Sequence, residues 1–178
     1  MVRVARGLAS RGVSVVTFDF PYKAKKKGAP DPGPVLEAAF QSVWTSLAEE
    51  GRTALFAGGK SMGGRIASQV AGRDGFSPTA GGLVFLGYPL HPPGKPEQRR
   101  DRHLPNIRVP MLFLSGTRDP FGSPEEMKGL VAALPLATLH LIDDGDHSLV
   151  ARKTLDPSGA RLEHAMDLAA AWILETGR

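Results

Sequence analysis

The sequence predicts an α/β fold, with a mostly parallel β-sheet and helices on both of its faces. Short apolar segments alternate along all 178 residues with segments whose apolar positions recur at helical spacing. The short segments are continuously apolar, which is typical of parallel strands covered on both sides. Neither a linker nor an internal repeat interrupts this alternation, so we expect one domain over residues 1–178 without a large inserted cap.

The elements follow in order from local composition. Apolar residues at Val4, Ala5, Leu8 and Ala9 predict an amphipathic first helix that stops at Gly12. Segments rich in β-branched and aromatic residues predict strands at 13–20, 53–58, 82–87, 109–116 and 137–143. Helical spacing predicts further helices at 34–50, 61–72, 97–103, 123–134 and 158–175.

One helix start and two loops are predicted from individual residues. Ser123 suits a helix cap, Pro124 suits the first helical position, and Glu125 and Glu126 favour the first turn. Proline and glycine in 21–33 and 88–96 predict loops, because proline lacks the N–H that helices and strands need.

Composition excludes several classes of function. The chain is 42% hydrophobic and 22% charged, as soluble globular proteins are. It has no cysteine, which excludes disulfides, thiolate catalysis and cysteine-based zinc sites, and no apolar run approaches the roughly 20 residues that span a bilayer. We therefore expect a cytoplasmic protein without a membrane partner.

The net charge of +4 is concentrated in two basic runs, at residues 23–27 and 99–102. Neither run is interleaved with the aromatic residues that stack on bases. We interpret both as solvated loops and expect no nucleic-acid partner.

The stretch "GGKSMGGR", residues 58–65, fits two motifs. A phosphate-binding P-loop would need glycine where the chain has Ala54, and the apolar residues before it leave too short a turn. Gly-x-Ser-x-Gly fits the sharp strand-to-helix turn that exposes a nucleophilic serine, here Ser61. That turn needs small residues two positions either side, which are Gly59 and Gly63, and Gly64 adds room for the helix to approach the sheet. In that turn the Met62 N–H would lie beside Ser61 as an oxyanion donor.

An acid and a base follow Ser61 in the order that such hydrolases use. Asp119 comes just after the predicted strand 109–116, and His147 just after the predicted strand 137–143. Because ligand sites in parallel sheets lie beyond the carboxyl ends of the strands, we expect the three side chains to meet there. Asp143 and Asp146 are the alternative acids, but they lie very close to His147 in the chain. We interpret the remaining histidines as structural or solvent-facing: His91, His103, His140 and His164.

Together with that order, the motifs "FDFPY", "GGKSMGGR", "GYPLHPPGKP", "VPMLFLSGTRDPFG" and "DGDHSL" make the chain resemble the α/β-hydrolase superfamily, in its dienelactone-hydrolase-like branch. They are similar in particular to a family that includes the third regulatory subunit of the chromatin-associated NSL acetyltransferase complex. The resemblance implies a catalytic triad of Ser61, Asp119 and His147. It also implies acyl transfer without cofactor or metal. The absence of a large inserted cap favours a small ester-like substrate. A second hypothesis is a non-catalytic hydrolase fold that serves as an interaction module.

The resemblance also implies a strand and a loop ahead of the first helix, and the chain begins inside that helix. We therefore expect an N-terminally truncated α/β-hydrolase fold. Its sheet would have either a gap or direct pairing between residues 13–20 and 53–58. The loop would carry the second oxyanion donor, so weak catalysis is expected of these residues alone. Substrate identity and oligomeric state stay open.

Overall fold

Four parallel strands form the sheet of the computed structural model, which describes residues 1–26, 28–51, 54–73, 75–76 and 79–178. The strands lie side by side in chain order, and each neighbouring pair is parallel. Their carboxyl ends therefore share one edge of the sheet. The strands are β1 (Phe56–Lys60), β2 (Gly82–Leu86), β3 (Met111–Gly116) and β4 (Ala137–Ile142).

Helices cover both faces of this sheet, which confirms the predicted architecture. The helices are α1 (Val2–Ala9), α2 (Pro21–Ala24), α3 (Gly33–Glu49), α4 (Met62–Arg73), α5 (Pro124–Ala132) and α6 (Ala160–Thr176). Buried residues of α3, α4 and α5 form the core on one face, and those of α1 and α6 form the core on the other. Within the described residues, we find no helix with both the length and the apolarity needed to cross a membrane.

The two central strands are buried on both faces, as their continuous apolar runs predict. Leu83 and Phe85 belong to the core under α3 and α4, whereas Val84 and Leu86 belong to the core under α1 and α6. The rings of Phe85 and Phe113 pack at 4.7 Å between centroids. Burial of each large apolar side chain contributes about 1.5–3 kcal/mol, so these strands anchor the sheet.

Residues 13–20 do not form the predicted strand. They pair with no described strand, and only Val13, Val15, Phe18 and Phe20 are partly buried. A groove of about 370 Å³ lies between residues 13–17 and 54–59. The sheet thus has the gap that was one of the two expected outcomes. A strand needs a ladder partner at about 4.8 Å, and the groove separates this segment from β1.

Two smaller predictions are also wrong. Residues 97–103 form no helix, because the Arg100 N–H donates to Leu90 and the Arg100 carbonyl accepts from the Tyr88 hydroxyl. A single 3₁₀ turn follows instead at Leu104–Asn106. The predicted loop after residue 20 contains the short helix α2, which begins with Pro21 at a position where proline is favourable. Lys27, in the first basic run, and Thr53, at the start of a predicted strand, lie outside the described residues.

Candidate active site

Ser61 is the single residue between β1 and α4. Its φ of +51° lies in the left-handed region, which a side-chain-bearing residue rarely adopts. The turn is held on both sides, because the Ser61 N–H donates to Leu86 of β2 and the Ser61 carbonyl accepts from Arg65 of α4. Backbone strain that the surrounding structure holds in place is typical of functional sites.

Close packing at Gly59 and Gly64 allows this turn to be sharp. A Cβ at Gly59 would lie 3.0 Å from backbone atoms of Gly63 and Gly64. A Cβ at Gly64 would lie 2.7 Å from the Gly59 carbonyl oxygen and 3.1 Å from the Phe85 ring. A Cβ at Gly63 would meet nothing within 4 Å. The prediction that Gly63 must be small is therefore wrong. The prediction that Gly64 gives the helix room to approach the sheet is confirmed, because the rotation of α4 points Gly64 at β1.

The structure brings Ser61, Asp119 and His147 into one hydrogen-bonded row. His147 Nε2 lies 2.7 Å from Ser61 Oγ. His147 Nδ1 lies 2.8 Å from Asp119 Oδ2 and 3.0 Å from Oδ1. The Asp119 side chain is 1% exposed and that of His147 is 20% exposed, so the row runs from the interior toward solvent. An ionised carboxylate only accepts hydrogen bonds, so the ring nitrogen that faces Asp119, Nδ1, carries the proton. Nε2 is then the acceptor for the Ser61 hydroxyl.

The His147 loop packs directly on the ends of β2 and β3. A Cβ at Gly87 would lie 2.4 Å from the His147 carbonyl oxygen, and a Cβ at Gly116 would lie 2.2 Å from the Gly145 carbonyl oxygen. The glycine that follows β2 and the glycine that ends β3 therefore let the loop come close. The glycines were visible in the sequence, but only the assembled sheet shows what they accommodate.

Phe121 is a site residue that the sequence reasoning missed. Its ring stacks on the His147 imidazole, with 4.1 Å between centroids and 28° between planes. Its backbone N–H donates to Asp119 Oδ1 at 2.9 Å. Phe121 thus covers one face of the imidazole and also orients the carboxylate that faces it.

The loop that carries Asp119 and Phe121 is braced by α5 and His91. Ser123 and Glu126 form the capping box at the start of α5, so the predicted cap is confirmed. Hydrogen bonds from the Ser123 backbone and hydroxyl, and from His91, lower the pKa of Glu126 to about 2. His91 is buried, and its backbone N–H donates to the Phe121 carbonyl. The nearby Pro92 carbonyl raises the pKa of the His91 ring.

The alternative acids do not reach the imidazole. Asp146 Oδ1 accepts from the N–H groups of Ser148 and Val150 in its own loop. Asp143 is exposed and pairs with Arg161 at 2.9 Å. Asp146 thus shapes its own loop, and Asp143 joins that loop to α6.

Three further polar groups have partners outside the triad. His103 Nε2 lies 2.7 Å from Ser68 Oγ, and burial lowers the pKa of His103. In the second basic run, Arg99 pairs with Asp101. Lys60 Nζ donates to Ser148 Oγ at 2.6 Å.

The start of α4 provides the environment predicted for an oxyanion. The helix begins at Met62, directly after Ser61. The first N–H groups of a helix have no partner within it, and the helix dipole favours negative charge there. The Met62 N–H is the first of these groups.

Comparison with known protein families gives a match over nearly the whole chain. The family model described as "Alpha/beta hydrolase domain" matches residues 1–176. The narrower resemblance to the family of the chromatin regulatory subunit stays a prediction.

Solved structures share the fold at low sequence identity. A serine hydrolase homologue from Coxiella burnetii has a TM-score of 0.72 at 18% identity, over 96% of this chain and 74% of that one. A monoacylglycerol lipase from Paleococcus ferrophilus has a TM-score of 0.72 at 17% identity, over 98% and 88%. A serine hydrolase without a lid from Xanthomonas campestris has a TM-score of 0.69 at 19% identity, over 93% and 69%.

Proposed function

Since the chain belongs to the alpha/beta hydrolase family, we propose that it is a serine hydrolase that cleaves an ester or a similarly activated acyl bond. The observation that carries the proposal is the continuous row from Ser61 Oγ through the His147 ring to Asp119, with every step at 2.7–3.0 Å. A nucleophile, a base within hydrogen-bond reach and a group that orients the base are what covalent acyl transfer requires.

In the proposed first step, Ser61 Oγ attacks the substrate carbonyl carbon while His147 Nε2 takes the hydroxyl proton. Asp119 keeps the proton of the neutral imidazole on Nδ1 and stabilises the imidazolium that forms. The tetrahedral intermediate places its negative oxygen near the Met62 N–H, at the positive end of α4. Collapse of the intermediate passes the proton from Nε2 to the leaving alcohol and leaves an acyl ester on Ser61.

In the second step, water attacks that acyl ester. His147 Nε2 accepts a proton from the water, and the second tetrahedral intermediate releases the carboxylic acid and returns the proton to Ser61 Oγ. The Phe121 ring covers one face of the imidazole through both steps. We propose it limits hydration of the base, which would otherwise weaken the Ser61 hydrogen bond.

Two features support a small, accessible ester as the substrate. The structural relatives include a monoacylglycerol lipase and an esterase domain from Rhodothermus marinus, whose names specify ester bonds. The segment that follows β2 is held down by its own contacts, with Tyr88 and Leu90 buried against the core. This segment is thus packed as part of the main domain and does not form a separate cap with a deep acyl-binding pocket.

Labelling with a fluorophosphonate probe tests the proposal. The full chain should react at Ser61, identified by peptide mass spectrometry, and Ser61→Ala should abolish labelling. His147→Ala should slow it strongly because the hydroxyl loses its base. Ser158→Ala, which alters an exposed serine, is the matched control and should label like the wild type.

Hydrolysis of a p-nitrophenyl ester provides the second measurement. Turnover that persists unchanged in Ser61→Ala would refute the assignment of the nucleophile. A folded wild-type chain that neither reacts with the probe nor hydrolyses the ester would refute the hydrolase proposal and favour an interaction module.

A further inference from the structure

A second hydrogen bond runs beside the one between the serine and the histidine. Lys60 precedes Ser61 in the chain, and Ser148 follows His147. Lys60 Nζ donates to Ser148 Oγ at 2.6 Å, in parallel with the 2.7 Å contact between Ser61 and His147. Two segments that are nearly 90 residues apart are thus joined twice, through adjacent residue pairs.

The His147 loop needs such support because it has no regular secondary structure. Residues 143–159 lie between β4 and α6 and belong to neither helix nor strand. Asp144 and Leu149, which flank the histidine, have φ values of +52° and +62°. Left-handed conformations at residues with side chains are unfavourable and persist only where other contacts enforce them.

Some contacts of the loop lie within it, and others join it to the ends of strands. Asp146 and Asp144 bind backbone N–H groups within the loop and so shape it locally. The Arg118 N–H donates to the Gly145 carbonyl and ties the loop to the end of β3. The bond from Lys60 instead ties it to the end of β1, where the nucleophile lies.

We propose that Lys60 and Ser148 are positioning residues that hold His147 Nε2 against Ser61 Oγ. The inference rests on the proposed hydrolase function for its kinetic consequence. Lys60 does not exchange a proton with Ser61, because its ammonium group is directed to Ser148. A charged donor and a half-buried hydroxyl form a stronger bond than a neutral pair, which suits a fixed brace.

The test combines Lys60→Met, Ser148→Ala and the double variant in the full chain. Each single variant should lower kcat on a p-nitrophenyl ester by about tenfold with KM within about twofold, because a displaced base affects the chemical step more than binding. The double variant should lose no more than either single variant, because both changes remove one bond. Lys60→Arg should recover most of the rate. Lys153→Met, which removes an exposed lysine of the same loop, is the control and should match the wild type.

Additive losses in the double variant, or wild-type kcat in either single variant, would overturn the proposal. Hydrogen exchange gives a readout that does not depend on turnover. Amides of residues 146–150 should exchange several-fold faster in Lys60→Met and Ser148→Ala than in Lys153→Met. Equal exchange rates would overturn the brace even if the chain hydrolysed no ester. An inactive wild-type chain with the expected exchange pattern would instead refute the hydrolase function and leave the brace supported.

Discussion

Alanine substitutions at Gly63 and Gly64 should have opposite effects, although the two glycines are adjacent. In Gly64→Ala the new Cβ lies 2.7 Å from the Gly59 carbonyl oxygen, so α4 must move away from β1. Overpacking of this kind costs about 1–3 kcal/mol, and we take about 2 here because the obstacle is backbone. In Gly63→Ala the Cβ enters open space, and replacing glycine in a helix gains about 0.5 kcal/mol near its end.

The two variants should therefore differ by about 2.5 kcal/mol in the free energy of unfolding, or roughly 5–10 °C in Tm for a chain of this size. Urea unfolding followed by circular dichroism measures the first quantity, and a thermal scan measures the second. Ester turnover should fall about tenfold in Gly64→Ala, because the shift of α4 also displaces the Met62 N–H. Equal stability of the two variants would refute the assignment of Gly64 as the close-packed residue.

Three further outcomes are expected. Asp119→Asn should lower kcat by about 10⁴ with little loss of stability, because an amide facing Nδ1 favours the wrong imidazole tautomer, and a loss under tenfold would contradict the orienting role. Phe121→Ala should lower kcat/KM about three- to tenfold, whereas Phe121→Tyr should retain it; equal rates would show that the stack is dispensable. The hydrogen bonds of Glu126 lower its pKa from 4.5 to about 2. Ionised Glu126 therefore adds to the free energy of unfolding above pH 4.5, and this contribution is lost as the pH falls toward 2. Glu126→Gln should therefore lose less stability than the wild type over that range, and identical acid dependence of the urea midpoints would contradict this.

Most of the sheet and the positions of the candidate site followed from the sequence because both depend on local patterns. Continuous apolar runs mark buried parallel strands, and residues just after such strands must lie at one edge of the sheet. That rule placed Ser61, Asp119 and His147 together, and their contacts in the structure lie within hydrogen-bond reach.

The failures depend on partners that are distant in the chain. β-branched residues at 13–20 indicate a preference for extended backbone, but they carry no information about whether a neighbouring strand exists. The motif also requires a small residue at Gly63, but the rotation of α4 points Gly64 at β1 and leaves Gly63 in open space. The stacking of Phe121 on His147 and the bond from Lys60 to Ser148 join residues 26 and 88 positions apart.

The strand order has a kinetic consequence for refolding. Parallel neighbours cannot pair through a tight turn, so each of the three strand pairings must wait for a long crossover connection to close. The nucleophile and the base are 86 residues apart and meet only when all four strands are in place. Contacts of such long range form slowly compared with helices, which form within microseconds. After dilution from urea, helical circular dichroism should therefore return before probe reactivity at Ser61, which makes that reactivity a late marker of complete folding.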